Sequence, residues 1–348
     1  MKITTISTKQ FVEGINMDEI FFYDKKFYFS YSSLNTLLYC PEIFYTQYVL
    51  GEKDLKDETY LTEGRLIHCL LLEPKKFDEQ YVVMPTKTPN ESIKTIVNRV
   101  FTHHKELKQS GEHKEQFADY QNAILDILSD MDLHQSLKTD EQRFAKVYTP
   151  DAQLYWEFKN KADGKQILDT AMFDKCSKIV EKIKLNKEVV DLLKLNHEQE
   201  WWSTVDVYNE HPMEMELSKY PFGLKGILDN LVVDPVEKVI RINDFKTTSK
   251  TLEEFPETIK FYRYNLQAAI YNLLVINKYH DLIAQGYRLE FRFVVIDKNQ
   301  QIYPFLVSND TMKIWTKDLK EVLNIAHYHY QEKDYTLPYK FKKEGVVL

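Results

Sequence analysis

Gly226-Ile227-Leu228-Asp229-Asn230-Leu231-Val232-Val233-Asp234, followed after Pro235 by Val239-Ile240-Arg241-Ile242-Asn243-Asp244-Phe245-Lys246, is the stretch on which the fold reading turns. Two runs rich in β-branched residues, separated by an Asp-Pro turn, predict neighbouring antiparallel strands. Asp229 and Asp244 then meet at one end of a sheet. Paired carboxylates at that spacing suit a hard divalent cation. Side chains alternate along a strand, so Asp244 and Lys246 share a face. A lysine beside a metal-bound water can orient it and stabilise charge on a phosphorane-like transition state. Thr247-Thr248-Ser249-Lys250 add hydroxyls and a cation suited to phosphate contacts. The competing reading is a solvated surface pair, the usual fate of an Asp-x-Lys on a strand.

Working outward, hydrophobic period two begins at about residue 198, so EQEWWSTVDVYN predicts a strand preceding the two above. Downstream, residues 256–280 predict one helix, YRLEFRFVVID and QIYPFLVS two strands, and residues 310–332 a final helix. The order β-β-β-α-β-β-α predicts an α+β fold, a mixed sheet flanked by helices. On the 256–280 helix, Lys260, Arg263, Gln267 and Tyr271 fall at offsets of three and four and trace one stripe. That stripe suits a helix lying along a phosphate backbone, with the cations on flanking phosphates; the competing reading is a solvated face with Tyr271 half-buried. Leu266, Ile270, Leu273, Leu274 and Ile276 are left for the core.

Toward the N-terminus, residues 20–30 read as a short hairpin of two aromatic runs. Ser32 or Ser33 can cap a following helix that Pro41 kinks or divides. A second helix spans about 58–72 and carries Gly64 and His68. Glycine inside a helix costs about 1 kcal/mol against alanine, which suggests a close approach to the backbone there. A lone histidine on an apolar helix is more often a core residue than a ligand. Residues 91–200 carry helical periodicity, interrupted at 142–169 by aromatic, strand-like material with a turn at Ala162-Asp163-Gly164. The expected organisation is an N-terminal part (1–84), a mostly helical insertion (85–197), a core (198–335) and a tail (336–348).

The 348 residues carry a net charge of -7, so any nucleic-acid surface must be a local basic patch. Cys40, Cys69 and Cys176 have no CxxC spacing, which argues for a reducing compartment and against a disulfide framework. No apolar run approaches the roughly 18 residues of a membrane span, and the N-terminal residues lack a signal-peptide core. The expectation is a soluble, cytoplasmic protein with no membrane partner. GxGxxG, GxxxxGK[ST] and GxSxG are all missing, so dinucleotide, P-loop and hydrolase-elbow chemistry have no support.

Gly226-x-x-Asp229, Asp244-x-Lys246 and Gln267-x-x-x-Tyr271, in this order, resemble the RecB-type branch of the PD-(D/E)XK nucleases. Gly64-Arg65-Leu66-Ile67-His68 is similar to that branch's G-x-x-x-H motif, and Ser30-Tyr31-Ser32-Ser33-Leu34 with Cys40-Pro41 to its opening helix. His68-Cys69-Leu70-Leu71-Leu72-Glu73-Pro74 and Asp244-Phe245-Lys246-Thr247-Thr248 look most like the exonuclease VIII (RecE) group of phages and prophages. The resemblance covers about residues 28–75 and 198–335 and departs at 85–197. Several relatives carry a four-cysteine iron–sulfur cluster; three cysteines here imply none.

The resemblance implies a restriction-endonuclease-like core and Mg²⁺ or Mn²⁺ held by His68, Asp229, Asp244 and the Phe245 carbonyl. It makes Lys246 the catalytic lysine and lets Gln267 and Tyr271 orient the site. Ser30, Ser32, Arg65, Lys250, Lys260 and Arg263 are the candidate DNA contacts; Glu63 and Glu200 are acidic neighbours without an assigned role. The implied activity is a DNA exonuclease working 5′→3′ on duplex ends for recombination, repair or phage DNA processing. Implied partners are a homo-oligomeric ring and a strand-annealing or recombination protein. The alternatives are a single-strand-specific nuclease or endonuclease on the same fold, and a non-catalytic protein that binds DNA ends.

Overall fold

The computed structural model describes residues 22–52, 59–196 and 204–346. The chain separates into two compact units: the described residues up to Leu72 with those from Ile179 onward, and Glu73–Lys178.

The first unit is built on a mixed sheet of six strands, β1 Tyr28–Phe29, β2 Asp206–Glu216, β3 Gly223–Asp234, β4 Val239–Thr247, β5 Arg288–Ile296 and β6 Ile302–Val307. β3, β4, β5 and β6 are neighbours in that order, with β4 and β5 parallel and the other two pairs antiparallel. β2 covers one edge of β3 from Gly223 to Val233. On the opposite edge β1 pairs with Gly223 and Leu224, and β4 with Asn230 to Asp234. Residues 225–229 therefore have no ladder partner on that side, and this is where the candidate site lies. Burial follows position: β4 is buried from Val239 to Phe245, as a central strand covered on both faces is, whereas the edge strand β2 alternates.

Helices flank the sheet: α1 Tyr31–Tyr39, α2 Thr59–Leu72, α3 Lys187–Leu193, α4 Phe255–Tyr262, α5 Tyr264–Lys278 and α6 Asn309–Glu332. Leu34, Leu228, Ile242, Ala269, Phe293 and Leu319 belong to one buried cluster that joins sheet and helices. Ser30, not Ser32 or Ser33, caps α1, in a reciprocal box with Ser33. The helix stops at Tyr39 and a short one begins at Pro41, as the proline predicts.

Three expectations are corrected here. The 20–30 hairpin does not form among the described residues: Phe22–Asp24 is helical, and Tyr28–Phe29 instead pairs in parallel with β3. Residues 142–147 and 150–161 are helical, because Thr139 and Thr149 supply N-caps and Pro150 occupies a first helical turn; only Gln166–Leu168 is a strand. The 256–280 helix is two helices. Arg263, at φ +56, breaks the path between α4 and α5, and Ile276 is exposed. The strand predicted from about residue 198 begins at Asp206; residues 197–203 lie outside the described set.

The second unit packs helices Glu91–Ser110, Gln121–Asp130, Asp140–Val147 and Pro150–Lys161 around Val97, Ile124, Leu128 and Trp156. Tyr81–Val83 and Gln166–Leu168 form its two-stranded parallel sheet.

Two glycines separate a steric requirement from a tolerated cost. A Cβ on Gly226 would lie 2.5 Å from Tyr271 Cε1 and 3.3 Å from Leu274 Cδ1. A Cβ on Gly64 would meet Thr247 Oγ1 at 3.8 Å, an ordinary contact, so no close approach explains that residue. Gly226→Ala should therefore destabilise the protein by about 1–3 kcal/mol in urea unfolding. Gly64→Ala should stabilise it by roughly 0.5–1 kcal/mol in the same assay.

Candidate active site

Three strands deliver a row of carboxylates. Asn230 pairs with Asn243 on β4 and with Asn209 on β2. One residue along, the same register places Asp229 between Asp244 and Glu210. Glu210 has φ +44, a left-handed conformation that non-glycine residues seldom adopt and that clusters at functional sites.

Asp229 divides its carboxylate between fold and site. Oδ2 accepts the Phe245 N–H at 2.6 Å where the β3–β4 ladder ends, and Oδ1 lies 3.8 Å from His68 Nδ1. His68 stands one turn before the end of α2. Its Nδ1 is 3.2 Å from Glu210 Oε1 and its Nε2 3.3 Å from the Phe245 carbonyl oxygen. His68, Glu210 and Asp229 place one ligand atom each within 4.8 Å of the others. Asp244 is fully buried, and its Oδ2 lies 2.5 Å from Lys246 Nζ. Among the described residues its carboxylate has no hydrogen bond otherwise.

His68 and Asp229 thus group with Glu210, and Asp244, the third residue expected beside them, contacts the ammonium two residues along its own strand. Three carboxylates, one imidazole and a main-chain carbonyl form a hard donor set. An otherwise unpartnered buried carboxylate beside it fits a divalent cation better than it fits a closed ion-pair network.

The electrostatics are those of an anionic pocket. Burial, opposed by Lys246 and reinforced by Asp229, raises Asp244 above the ordinary carboxylate range. Burial disfavours the Lys246 cation, but Asp244 and then Asp229 outweigh it and hold the ammonium charged. Burial likewise pulls His68 down, yet Asp229 and Glu210 raise it to about 9.

Gln267 and Tyr271, both buried on α5, are joined by an amide-to-hydroxyl bond of 3.0 Å. Burial first, then Asp229 and Asp244, raises the Tyr271 hydroxyl, as its place beside the carboxylate row requires. Gly226 is the gap into which its ring fits. Lys260 and Arg263 do not share their stripe, because the break at Arg263 interrupts it. Arg263 donates to Asn35 Oδ1 at 2.8 Å and Ser30 is occupied as a helix cap. Ser32, Arg65, Lys250 and Lys260 are exposed. Glu200 lies outside the described residues. Glu210 escaped the sequence reading; the signal for it was its cross-strand position opposite Asp229.

Residues 28–336 match the PD-(D/E)XK nuclease superfamily, and the chain belongs to it. Among solved structures, a Eubacterium rectale protein bearing the name "putative exonuclease" shares 11% identity over 96% of this chain and 94% of its own, with a TM-score of 0.45. The structure of SSO0001 shares 14% identity over 50% of this chain and 79% of its own, with a TM-score of 0.22. No curated protein matches the sequence. Among the described residues no helix is long and apolar enough to cross a membrane.

A histidine must lose its proton to bind a metal. With His68 raised to about 9, cation binding at neutral pH should release about one proton, and affinity should climb with pH until about 9. Calorimetry of Mn²⁺ binding in buffers of different ionisation enthalpy measures that proton. His68→Ala should abolish the release.

Proposed function

We propose that this nuclease-family chain is a Mg²⁺- or Mn²⁺-dependent deoxyribonuclease that hydrolyses phosphodiester bonds at duplex DNA ends. The observation that carries the reading is the Glu210–Asp229–Asp244 row flanked by His68 and the charged Lys246. His68, Glu210, Asp229, Asp244 and the Phe245 carbonyl would hold the cation, which supplies an activated water and neutralises phosphate charge. Lys246 stays protonated against Asp244, so it acts as a fixed cation beside the phosphate and not as a base. Gln267 positions the Tyr271 hydroxyl, whose oxygen accepts a hydrogen bond from the amide and whose own proton is left to donate. Phe245 is held at both ends: its N–H by Asp229, its carbonyl beside His68. Water would add to phosphorus, the bond to the 3′-oxygen would break, and the proton lost by the water would be balanced by one gained at that oxygen, leaving a 3′-hydroxyl and a 5′-phosphate.

The resemblance to the exonuclease VIII group supports exonucleolytic action, 5′→3′ polarity, a ring-shaped homo-oligomer and a role in recombination, repair or phage DNA processing. Lys250, Lys260 and Arg65, all exposed, are the phosphate contacts of this reading; Ser32 is a fourth candidate.

Digestion of end-labelled linear and circular DNA, single- and double-stranded, tests the reading. Linear duplex should be shortened with Mg²⁺ or Mn²⁺ and left intact with EDTA, and covalently closed circles should survive. Cutting of circles would make it an endonuclease; no cutting of any substrate would refute the nuclease reading. Lys246→Ala should lower the rate at least about 100-fold, the cost of losing a transition-state charge, with DNA binding in Ca²⁺ nearly unchanged. Glu210→Ala should weaken Mn²⁺ binding, and an unchanged Mn²⁺ affinity would remove Glu210 from the ligand set.

A further inference from the structure

Lys246 Nζ sits over the ring of Tyr264, 5.0 Å from its centroid. Tyr264 stacks on Tyr262, with centroids 5.5 Å apart and planes at 21°. Tyr262 in turn meets Phe261 edge to face at 4.9 Å. Exposure rises outward along this series: Tyr264 is half-buried, Tyr262 is 48% exposed and Phe261 77%.

A regular helix cannot make this series. Residues i and i+2 point about 200° apart around a helix, so Tyr262 and Tyr264 could not stack within one. They stack because Arg263 takes φ +56 between α4 and α5. The break is held by two bonds to α1: the Tyr31 hydroxyl donates to the Tyr262 carbonyl at 2.5 Å, and the Arg263 guanidinium donates to Asn35. A strained non-glycine conformation is thus maintained by α1 to present rings to solvent, where burial returns nothing.

We propose that Tyr262 and Phe261 are a stacking platform for an unpaired base of the strand cleaved at Asp244–Lys246, so that the site takes a DNA end whose terminal pair is open. The inference rests on the nuclease reading above. Its occupant follows from continuity with the Lys246 cation. A phosphate held at that ammonium leaves the attached base beside the rings that lead away from it. In a duplex each base face is covered by its neighbours; only an unstacked base offers a face to an aromatic side chain. Stacking of this kind tolerates any base, so the platform would select for an open end and not for sequence.

The test removes the base and the ring in turn. Rates in Mn²⁺ are measured on a linear duplex with a short splayed end, intact or with abasic sites in the terminal nucleotides, for wild type, Phe261→Ala/Tyr262→Ala and Tyr262→Phe. Removing the bases should slow wild type about tenfold, removing the rings should do the same, and the two losses should not multiply. Tyr262→Phe should behave as wild type. Multiplying losses, or equal wild-type rates on intact and abasic ends, would overturn the platform while leaving the nuclease reading intact. A 2-aminopurine at the open end, bound in Ca²⁺, reads stacking without cleavage: its fluorescence should fall on wild type and not on the double variant. If wild type cuts nothing in Mn²⁺, the nuclease reading fails, and the 2-aminopurine signal alone decides the platform. Fluorescence unchanged on wild type refutes it, whether the rings are idle or serve a protein partner.

Discussion

The Asp229 carboxylate is where sheet and site are joined. β3 and β4 stop pairing after Asn230 and Asn243, so the amide two residues on, that of Phe245, which faces β3, needs an acceptor. Asp229 Oδ2 provides it at 2.6 Å. A carboxylate that accepts a buried N–H is oriented by that bond, and its second oxygen is thereby aimed at His68. The Phe245 carbonyl, in the next peptide along β4, meets the other ring nitrogen of the imidazole. Opening the ladder one residue earlier would leave Asp229 unanchored, and opening it one later would give the Phe245 amide a backbone partner. The site depends on where the strands part.

That point is fixed by a second row one residue away. The Asn230 amide donates to Asn209 Oδ1 and to the Leu193 carbonyl, and the Asn243 amide to Asn230 Oδ1 and the Leu192 carbonyl. Asn209 donates to the Leu72 carbonyl at the end of α2, the helix that carries His68. Three asparagines thus tie three strands to the C-terminal ends of two helices. Buried amides have high stakes in register: a slip of one residue would bury unpaired polar groups and reverse every side chain on the strand. Only Asn243 Oδ1 is left without a partner among the described residues of the row.

Most of the sheet was legible because the runs of Leu, Ile and Val around Asp229 and Asp244 have strong strand patterns and a clear turn between them. Gln267 and Tyr271 were legible as a pair because four residues make one helical turn, and their bond confirms the shared face. Glu210 was not, because acidic residues also occupy Glu214 and Glu216 of the same strand, and only the register to Asp229 and a left-handed φ set it apart. Arg263 carries no glycine or proline signal; its break is imposed by contacts with Tyr31 and Asn35, more than 220 residues away in sequence. The 142–161 segment misled because Tyr155, Trp156 and Phe158 favour strands, while the deciding evidence was the Thr149-Pro150 cap.

The same row that gives the site its chemistry works against the fold. Glu210, Asp229 and Asp244 crowd negative charge into a place where Lys246 and His68 are the compensating cations shown, and burial already pushes Asp244 toward its neutral form. The net charge of -7 adds nothing local, since it is screened beyond about 8 Å at physiological salt. A divalent cation bound to the folded state and not to the unfolded one adds stability in proportion to the logarithm of its concentration over its dissociation constant. On the proposed metal-dependent reading, such a cation would offset the negative charge that Glu210, Asp229 and Asp244 bring together, so the group that serves the chemistry would also steady the fold.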